Sequence, residues 1–322
     1  MHTLKIVATD AASVNGSAQV SFAVAGSAVP SKVGIFRPAA FMMVAEDVNG
    51  NIAWDPGIDR AAFFGTTGDT IIYGDWDGSG TTKVGIFRAS VGMFALDMNG
   101  NGAWDPGIDT FGFFGQAGDV PIVGDWNGDG RTKVGIYRPT TALFAIDYNG
   151  NLAYDPGTDK AHQFGLVGDT PIIGDWNGDG KAKVGVFRSG LWILDSNNNL
   201  TLDAGDTQGT IGQAGDTPLL GDWNGDGRTK VGIYRSGAGM FAEDYNGNLT
   251  WDNGVDRAGV FGAAGSTPVV GDWTGTGITR VGVFYGNGYW GLDINGNLSW
   301  DARVRWGGFG SGTGDTPVVG KW

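Results

Sequence analysis

The stretch Pro121-Ile122-Val123-Gly124-Asp125-Trp126-Asn127-Gly128-Asp129-Gly130, followed by Lys133-Val134-Gly135-Ile136-Tyr137-Arg138, returns along the whole chain. Gly-Asp-Trp stands at 74–76, 124–126, 174–176, 221–223 and 271–273, and Gly320-Lys321-Trp322 completes the series, with spacings of 50, 50, 47, 50 and 49 residues. A fixed period near 50 overrides the two or three domains that 322 residues would otherwise suggest, because repeats of that size stack into one body.

The repeats open at Lys32-Val33-Gly34, Lys83-Val84-Gly85, Lys133-Val134-Gly135, Lys183-Val184-Gly185, Lys230-Val231-Gly232 and Arg280-Val281-Gly282. Each holds four short strand candidates separated by clusters of Gly, Asn, Asp and Thr. In the third these are Val134 to Arg138, Leu143 to Asp147, a run ending in Gln163-Phe164-Gly165, and Pro171 to Trp176. Four strands in 40–50 residues is the size of a propeller blade. With 60 Gly and no apolar pattern of helical period, the composition is all-β. The two ends are complementary: the first repeat lacks a Gly-Asp-Trp strand before it, and the run Thr316 to Trp322 has none of its followers. This predicts a six-bladed β-propeller over 31–322, closed by strands from both ends sharing one blade. Ahead of it, Leu4, Ile6, Val20, Phe22 and Val24 alternate about Asn15-Gly16, which predicts a hairpin, with a linker to residue 30.

Net charge −13 argues against nucleic acid and anionic membrane surfaces, which call for basic residues. The chain has no Cys, so disulfides and thiolate chemistry are excluded, and no segment is long and apolar enough to insert in a bilayer as a helix.

Two turns recur in register. In the first, Asp125, Asn127 and Asp129 place oxygens at positions 1, 3 and 5, as do Asp175, Asn177 and Asp179, and Asp222, Asn224 and Asp226. Alternate side chains of a tight loop converge on one hard cation, which makes these calcium candidates. The set decays to Asp272, Thr274 and Thr276 in the next copy. In the second turn, positions 1, 3, 5 and 9 all carry oxygen: Asp47, Asn49, Asn51 and Asp55; Asp97, Asn99, Asn101 and Asp105; Asp147, Asn149, Asn151 and Asp155; Asp195, Asn197, Asn199 and Asp203; Asp244, Asn246, Asn248 and Asp252; Asp293, Asn295, Asn297 and Asp301. A further Asp follows in most copies (Asp59, Asp109, Asp159, Asp206 and Asp256), so ligand count makes the second turn the stronger calcium candidate, with weak affinity of order 10⁻⁴–10⁻³ M. A metal-free reading stands beside it, since Asn-Gly is a favoured hairpin dipeptide and flanking Asp and Asn satisfy turn backbone. Position 6 of this turn is Leu or Ile in most copies rather than the Gly of an EF-hand loop.

With its strand context the first turn resembles the FG-GAP repeat of integrin-α-like bacterial propellers, often called VCBS-like repeats, and the resemblance covers 31–322. It implies a turn joining the first two strands of a blade and often holding calcium, with another carboxylate at position 9. Here position 9 is a cation: Lys83, Lys133, Lys183, Lys230 or Arg280. An ammonium there can neutralise the acids internally and remove the need for a metal; the plain alternative is a turn tied by Asp side chains to backbone N–H groups. The hairpin at the start resembles the last strand pair of a bacterial immunoglobulin-like domain.

The tryptophans of the Gly-Asp-Trp strands (Trp76, Trp126, Trp176, Trp223, Trp273, and Trp322 in Gly-Lys-Trp) read as wedges between blades. Trp54, Trp104, Trp251 and Trp300 lie in the second turn, where Tyr154 and Leu202 substitute; they read as packing or as stacking platforms for sugar rings. Gly34 and its equivalents predict close approach of an aromatic ring. Arg37, Arg88, Arg138, Arg188 and Arg235 are expected to pair with Asp. Only His2 and His162 exist, no nucleophile turn surrounds either, and the carboxylates recur with the fold, so no enzymatic activity is expected. The function expected is a secreted or cell-surface module for adhesion or protein interaction, stabilised by calcium, its export signal lying outside this sequence. A multivalent lectin binding glycan is the alternative, and a hydrolase with a site in the central channel a distant third.

Overall fold

The structure, a computed structural model, describes residues 29–38, 41–311 and 314–322, with Phe41 described by its backbone. The hairpin expected before residue 29 lies outside the described residues. Each period folds into one antiparallel sheet. The first holds β1 (Lys32–Arg37), β2 (Phe41–Glu46) and β3 (Arg60–Thr66). The second is β4 (Thr70–Gly74), β5 (Lys83–Arg88), β6 (Met93–Leu96) and β7 (Thr110–Phe113). The third is β8 (Val120–Gly124), β9 (Lys133–Arg138), β10 (Leu143–Ile146) and β11 (Lys160–Gln163), and the fourth β12 (Thr170–Gly174), β13 (Lys183–Arg188), β14 (Leu191–Leu194) and β15 (Thr207–Thr210). The fifth is β16 (Thr217–Gly221), β17 (Lys230–Arg235), β18 (Met240–Glu243) and β19 (Arg257–Val260), and the sixth β20 (Thr267–Gly271), β21 (Arg280–Phe284), β22 (Tyr289–Leu292) and β23 (Arg305–Gly308). A last strand, β24 (Thr316–Gly320), pairs with β1 and completes blade one in the order β24-β1-β2-β3. Val33 lies opposite Val319 and Gly34 opposite Val318, so the expected six-bladed propeller closes as the two ends predict.

The innermost strands are the Gly-Asp-Trp strands, and neighbours among them meet, β4 with β8, β8 with β12, β16 with β20 and β20 with β24. Strands such as Lys133–Arg138 come next and are buried on both faces, because a neighbouring blade covers each side. Outermost strands such as Thr110–Phe113 alternate partly buried and exposed.

Two devices join the blades, and neither was singled out in the sequence. At every junction the residue two before the Val of the second strand bonds the blade before it: Thr132 N–H donates to the Asp75 carbonyl at 2.8 Å, and Asp75 N–H donates to Thr132 Oγ1 at 3.0 Å. Thr82, Thr229, Thr279 and Ser31 repeat both bonds against Lys321, Asp175, Asp222 and Asp272; Ala182, lacking a hydroxyl, makes the backbone bond to Asp125 alone. The junction between residues 31 and 272 is therefore built like the others.

The second device is a wedge at position 6 of the second turn. Ile52, Leu152, Leu200, Leu249 and Leu298 take φ between 56° and 63°, a left-handed conformation disfavoured for such residues. Burial compensates: each is nearly inaccessible to solvent. Leu152, Leu249, Leu298 and Ile52 press on Gly112, Gly209, Gly259 and Gly307 of the preceding blade, so closely that a Cβ at Gly112 would lie 2.4 Å from Leu152 Cβ. Between blades one and two the sizes are exchanged: the wedge is Gly102 and the strand residue Ala62, and a Cβ at Gly102 would lie 2.2 Å from that of Ala62.

Gly34 and its equivalents depart from the expected aromatic approach. A Trp ring lies near Gly34 and Gly232, but at Gly85, Gly135, Gly185 and Gly282 the close neighbours are the carbonyl of the next strand and Leu, Ile or Val side chains. The ring instead lies over the Gly of Gly-Asp-Trp, where Trp126 folds back on Gly124 and its indole N–H donates to the Val134 carbonyl of its own blade.

Thr229→Val keeps the shape of the latch but leaves the buried Asp175 N–H without an acceptor; thermal unfolding should show a loss of about 1–3 kcal/mol. Gly102→Leu alone overpacks and should lose about 1–3 kcal/mol, while Ala62→Gly with Gly102→Leu recreates the pattern of the other junctions. Denaturant titrations of the cycle should show a favourable coupling of about 0.5–3 kcal/mol; additive effects would refute the complementarity.

Candidate functional site

Antiparallel order puts the turn after the first strand of a blade and the turn after its third on the same face of the ring. Asn127 Nδ2 donates to the Tyr148 carbonyl at 3.3 Å, and a side-chain carbon added at Gly150 would lie 3.4 Å from Lys133 Cγ. First and second turns thus stand side by side, with the stems of Lys83, Lys133 and Lys230 lying against Gly100, Gly150 and Gly247 of the second turn.

In the first turn Asp125 accepts the N–H groups of Gly128, Asp129 and Gly130, and position 6, Gly130, sits at φ 88°. Lys133 Nζ enters the centre, 2.6 Å from Asp129 Oδ1, 2.7 Å from Asn127 Oδ1, 3.1 Å from the Arg131 carbonyl and 3.5 Å from Asp125 Oδ1. Lys183 meets Asp179, Asp175 and the Lys181 carbonyl at 2.6, 3.1 and 3.0 Å, and Lys230 meets Asp226, Asp222 and the Arg228 carbonyl at 2.5, 3.1 and 3.3 Å. Lys83 bonds Asp77, Ser79 and Thr81, and Arg280 bonds Thr274, Thr276 and the Ile278 carbonyl. Lys32, at the shared blade, donates to the Val48 and Trp322 carbonyls at 2.7 and 2.8 Å. Burial pushes Asp129, Asp179 and Asp226 upward, but the lysine, backbone and asparagine bonds outweigh it and hold all three below the ordinary carboxylate range.

The second turn is organised oppositely. Asp147, fully buried, accepts the N–H groups of Gly150, Asn151 and Leu152. Asn149 Oδ1 accepts Asn151 N–H and Asn151 Oδ1 accepts Ala153 N–H, which fixes both amides so that each Nδ2 donates to Asp155 Oδ2, at 2.8 and 2.6 Å. The same amide pair meets Asp55, Asp105, Asp203, Asp252 and Asp301 in the other copies. The further carboxylates Asp59, Asp109, Asp159 and Asp256 staple the loop, each accepting the N–H groups of its positions 2 and 9. Burial raises the position-1 carboxyls, opposed by those backbone bonds.

These arrangements do not fit a calcium ion. The first turn holds a cation of its own where the ion would be, and the second turns amide N–H groups, not oxygens, toward its position-9 carboxylate. Among the described residues no three carboxylate, His or Cys side chains gather as a metal-holding group.

The recurring arginines do pair with Asp, but not with these turns. Arg37, Arg88, Arg138, Arg188 and Arg235 grip Asp315, Asp69, Asp119, Asp169 and Asp216 through two guanidinium nitrogens, on the opposite face. That Asp was legible as Gly-Asp-Thr or Gly-Asp-Val one period apart and was missed; in the remaining blade both partners change, to Ser266 and Tyr285. Second-turn aromatics bridge blades, as in Trp54 on Phe309, Tyr154 on Phe114 and Trp300 on Phe261, while staying about half exposed. Trp104 continues a chain from Phe64 through Phe111 to Phe113, the last two 57% and 58% exposed. His162 stands exposed on β11, without a counterpart in another blade.

Two carboxyls, Glu243 buried and Glu46 mostly so, depart from the pattern of Leu or Ile at the end of the third strand. Glu243 is raised to about 8 by burial, with Arg257 opposing and Asp293 adding; Glu46 is raised to about 7 by burial, with Arg60 opposing and Asp97 adding. Arg60 bonds Glu46 at 2.8 Å, whereas the Arg257 guanidinium stacks on Tyr245.

Fold and turns together define a closed six-bladed β-propeller with a face of paired acidic turns. No family model matches the chain, and no curated protein matches it. Among solved structures it is similar to the crystal structure described as BBS1N in complex with ARL6DN, soaked with lead, with TM-score 0.44 and 10% identity over 92% of this chain and 86% of that one. No helix among the described residues is long and apolar enough to cross a membrane.

Because Glu243 and Glu46 bind protons more tightly folded than unfolded, stability should fall as pH rises from about 4.5 through the folded values of about 7 and 8. Glu243→Gln should flatten that loss, raising Tm at pH 8 relative to the parent by a few degrees, about what 1 kcal/mol gives; an unchanged Tm profile from pH 5 to 8 would refute it.

Proposed function

We propose that this chain is a non-enzymatic protein-interaction module, displayed at a cell surface or secreted, whose blades form a rigid scaffold. The observation that carries the reading is the aromatic run across blades one and two. Trp104, Phe111 and Phe113 are joined ring to ring, and Phe63 on the adjoining outer strand is 59% exposed. The corresponding strands of blades three and four present His162, Gln163, Gln208 and Thr210 instead. Blades five and six carry single exposed apolar residues on these strands, Val260 and Trp306, so what distinguishes blade two is that its exposed rings are joined, and a connected aromatic surface on an acidic body is the kind of feature that marks a protein contact. The carboxylates support a structural rather than a catalytic role, since those of the turns and strand ends recur from blade to blade, each bonded to backbone, asparagine, lysine or arginine.

The intact chain should be screened in parallel against a displayed protein library and a glycan array. Binding to proteins that drops at least about tenfold in Phe111→Ser/Phe113→Ser, roughly the 1.4 kcal/mol expected of lost anchors, with Tm kept, supports the proposal. Several equivalent glycan sites per chain, lost on replacing Trp54 or Trp300, would instead favour a multivalent lectin.

A further inference from the structure

We infer that the first turns are calcium-type loops occupied by the chain's own ammonium groups, and that the second turns are closed without metal by the reverse polarity, so that the propeller is complete in the absence of divalent cations. An EF-type loop offers its ion oxygens from positions 1, 3 and 5, a backbone carbonyl from position 7 and a ligand from position 9, with Gly at 6 for the sharp bend. Around Lys133 Nζ the oxygens are those of Asp125, Asn127, Asp129 and the Arg131 carbonyl, which are positions 1, 3, 5 and 7, and Gly130 is position 6. Positions 1, 3, 5 and 7 supply the oxygens they would give the ion, position 9 delivers a cation instead of another oxygen, and position 12 is Ile136 in place of the bidentate Glu of an EF-hand.

The substitution is systematic. Lys83, Lys133, Lys183 and Lys230 are all buried, and each lies among the oxygens of its own turn. Where Thr274 and Thr276 replace the acids and amides of positions 3 and 5, the cation becomes Arg280, whose NH1 reaches both hydroxyls and the Ile278 carbonyl. A divalent ion entering such a turn would meet a positive charge at contact distance, so binding requires expelling the lysine from a buried position. In the second turn the position-9 residue is Asp, and the surrounding groups are donors rather than acceptors, as in Asn149 and Asn151 on Asp155. In both turns the central group and its shell carry opposite polarity, and no external ion is needed to complete either.

The test uses the full chain, stripped with a chelator, and calcium chloride as the probe. The parent should show the same Tm with chelator and with millimolar calcium, and no calcium binding by calorimetry. Lys133→Asp restores the missing carboxylate: it should bind one calcium per chain, and its Tm should rise with calcium by mass action. Should that variant fail to fold, amine labelling of the native parent in chelator decides: Lys83, Lys133, Lys183 and Lys230 should stay unmodified until denaturant is added. Calcium binding or a calcium-dependent Tm in the parent, no calcium gained by a folded Lys133→Asp, or ready labelling of those four lysines would each overturn the inference.

Discussion

The antiparallel pairing of residues 32–36 with 316–320 is the constraint on which the molecule rests. A single four-stranded sheet leaves both faces uncovered, and here each second strand is buried on both sides only because a blade lies against each. An open stack would leave two terminal faces and their edges to solvent. Closing the ring removes them, and it does so through a blade assembled from distant parts of the chain, reinforced by Arg37 on Asp315 and by Lys32 on the Trp322 carbonyl.

Within that ring the polar groups are divided by face. One face is formed by acidic turns satisfied from within: carboxylates gather backbone N–H groups, lysines gather oxygens, asparagine amides gather around a carboxylate. The opposite face carries the Arg–Asp pairs that tie the innermost strand to its neighbour in five of the six blades. Charge of one sign is thereby kept at high density without mutual repulsion opening the turns, because nearly every turn carboxylate has a donor within hydrogen-bond reach. The outer strands are left to vary, and that is where an aromatic run interrupts the sixfold pattern.

The wedge residues show how such regularity tolerates exchange. A left-handed Leu is unfavourable by itself, yet four junctions accept a Leu or Ile of this kind because it fills the hollow over a glycine, and one reverses the sizes with Gly102 over Ala62. The same hollow is filled from either side. The strain at Leu152 is thus understandable only with the next blade in view.

What the sequence alone determined was whatever repeats: the period, the four strands per blade, the all-β class and, from the mismatch of the two ends, closure into six blades. Lysine at position 9 was also readable as a rival to calcium, since charge and spacing are local properties. Tertiary structure decided the rest, because it depends on which residues face each other across a gap. The partner of Arg138 proved to be Asp119 rather than a turn acid, and Thr132 proved to latch a neighbouring blade. The aromatic neighbour assigned to Gly135 proved to belong to Gly124. The amides of Asn149 and Asn151 count as oxygens in a sequence, but once their oxygens accept backbone N–H groups only their donors remain to face Asp155, and that orientation exists only in the folded loop.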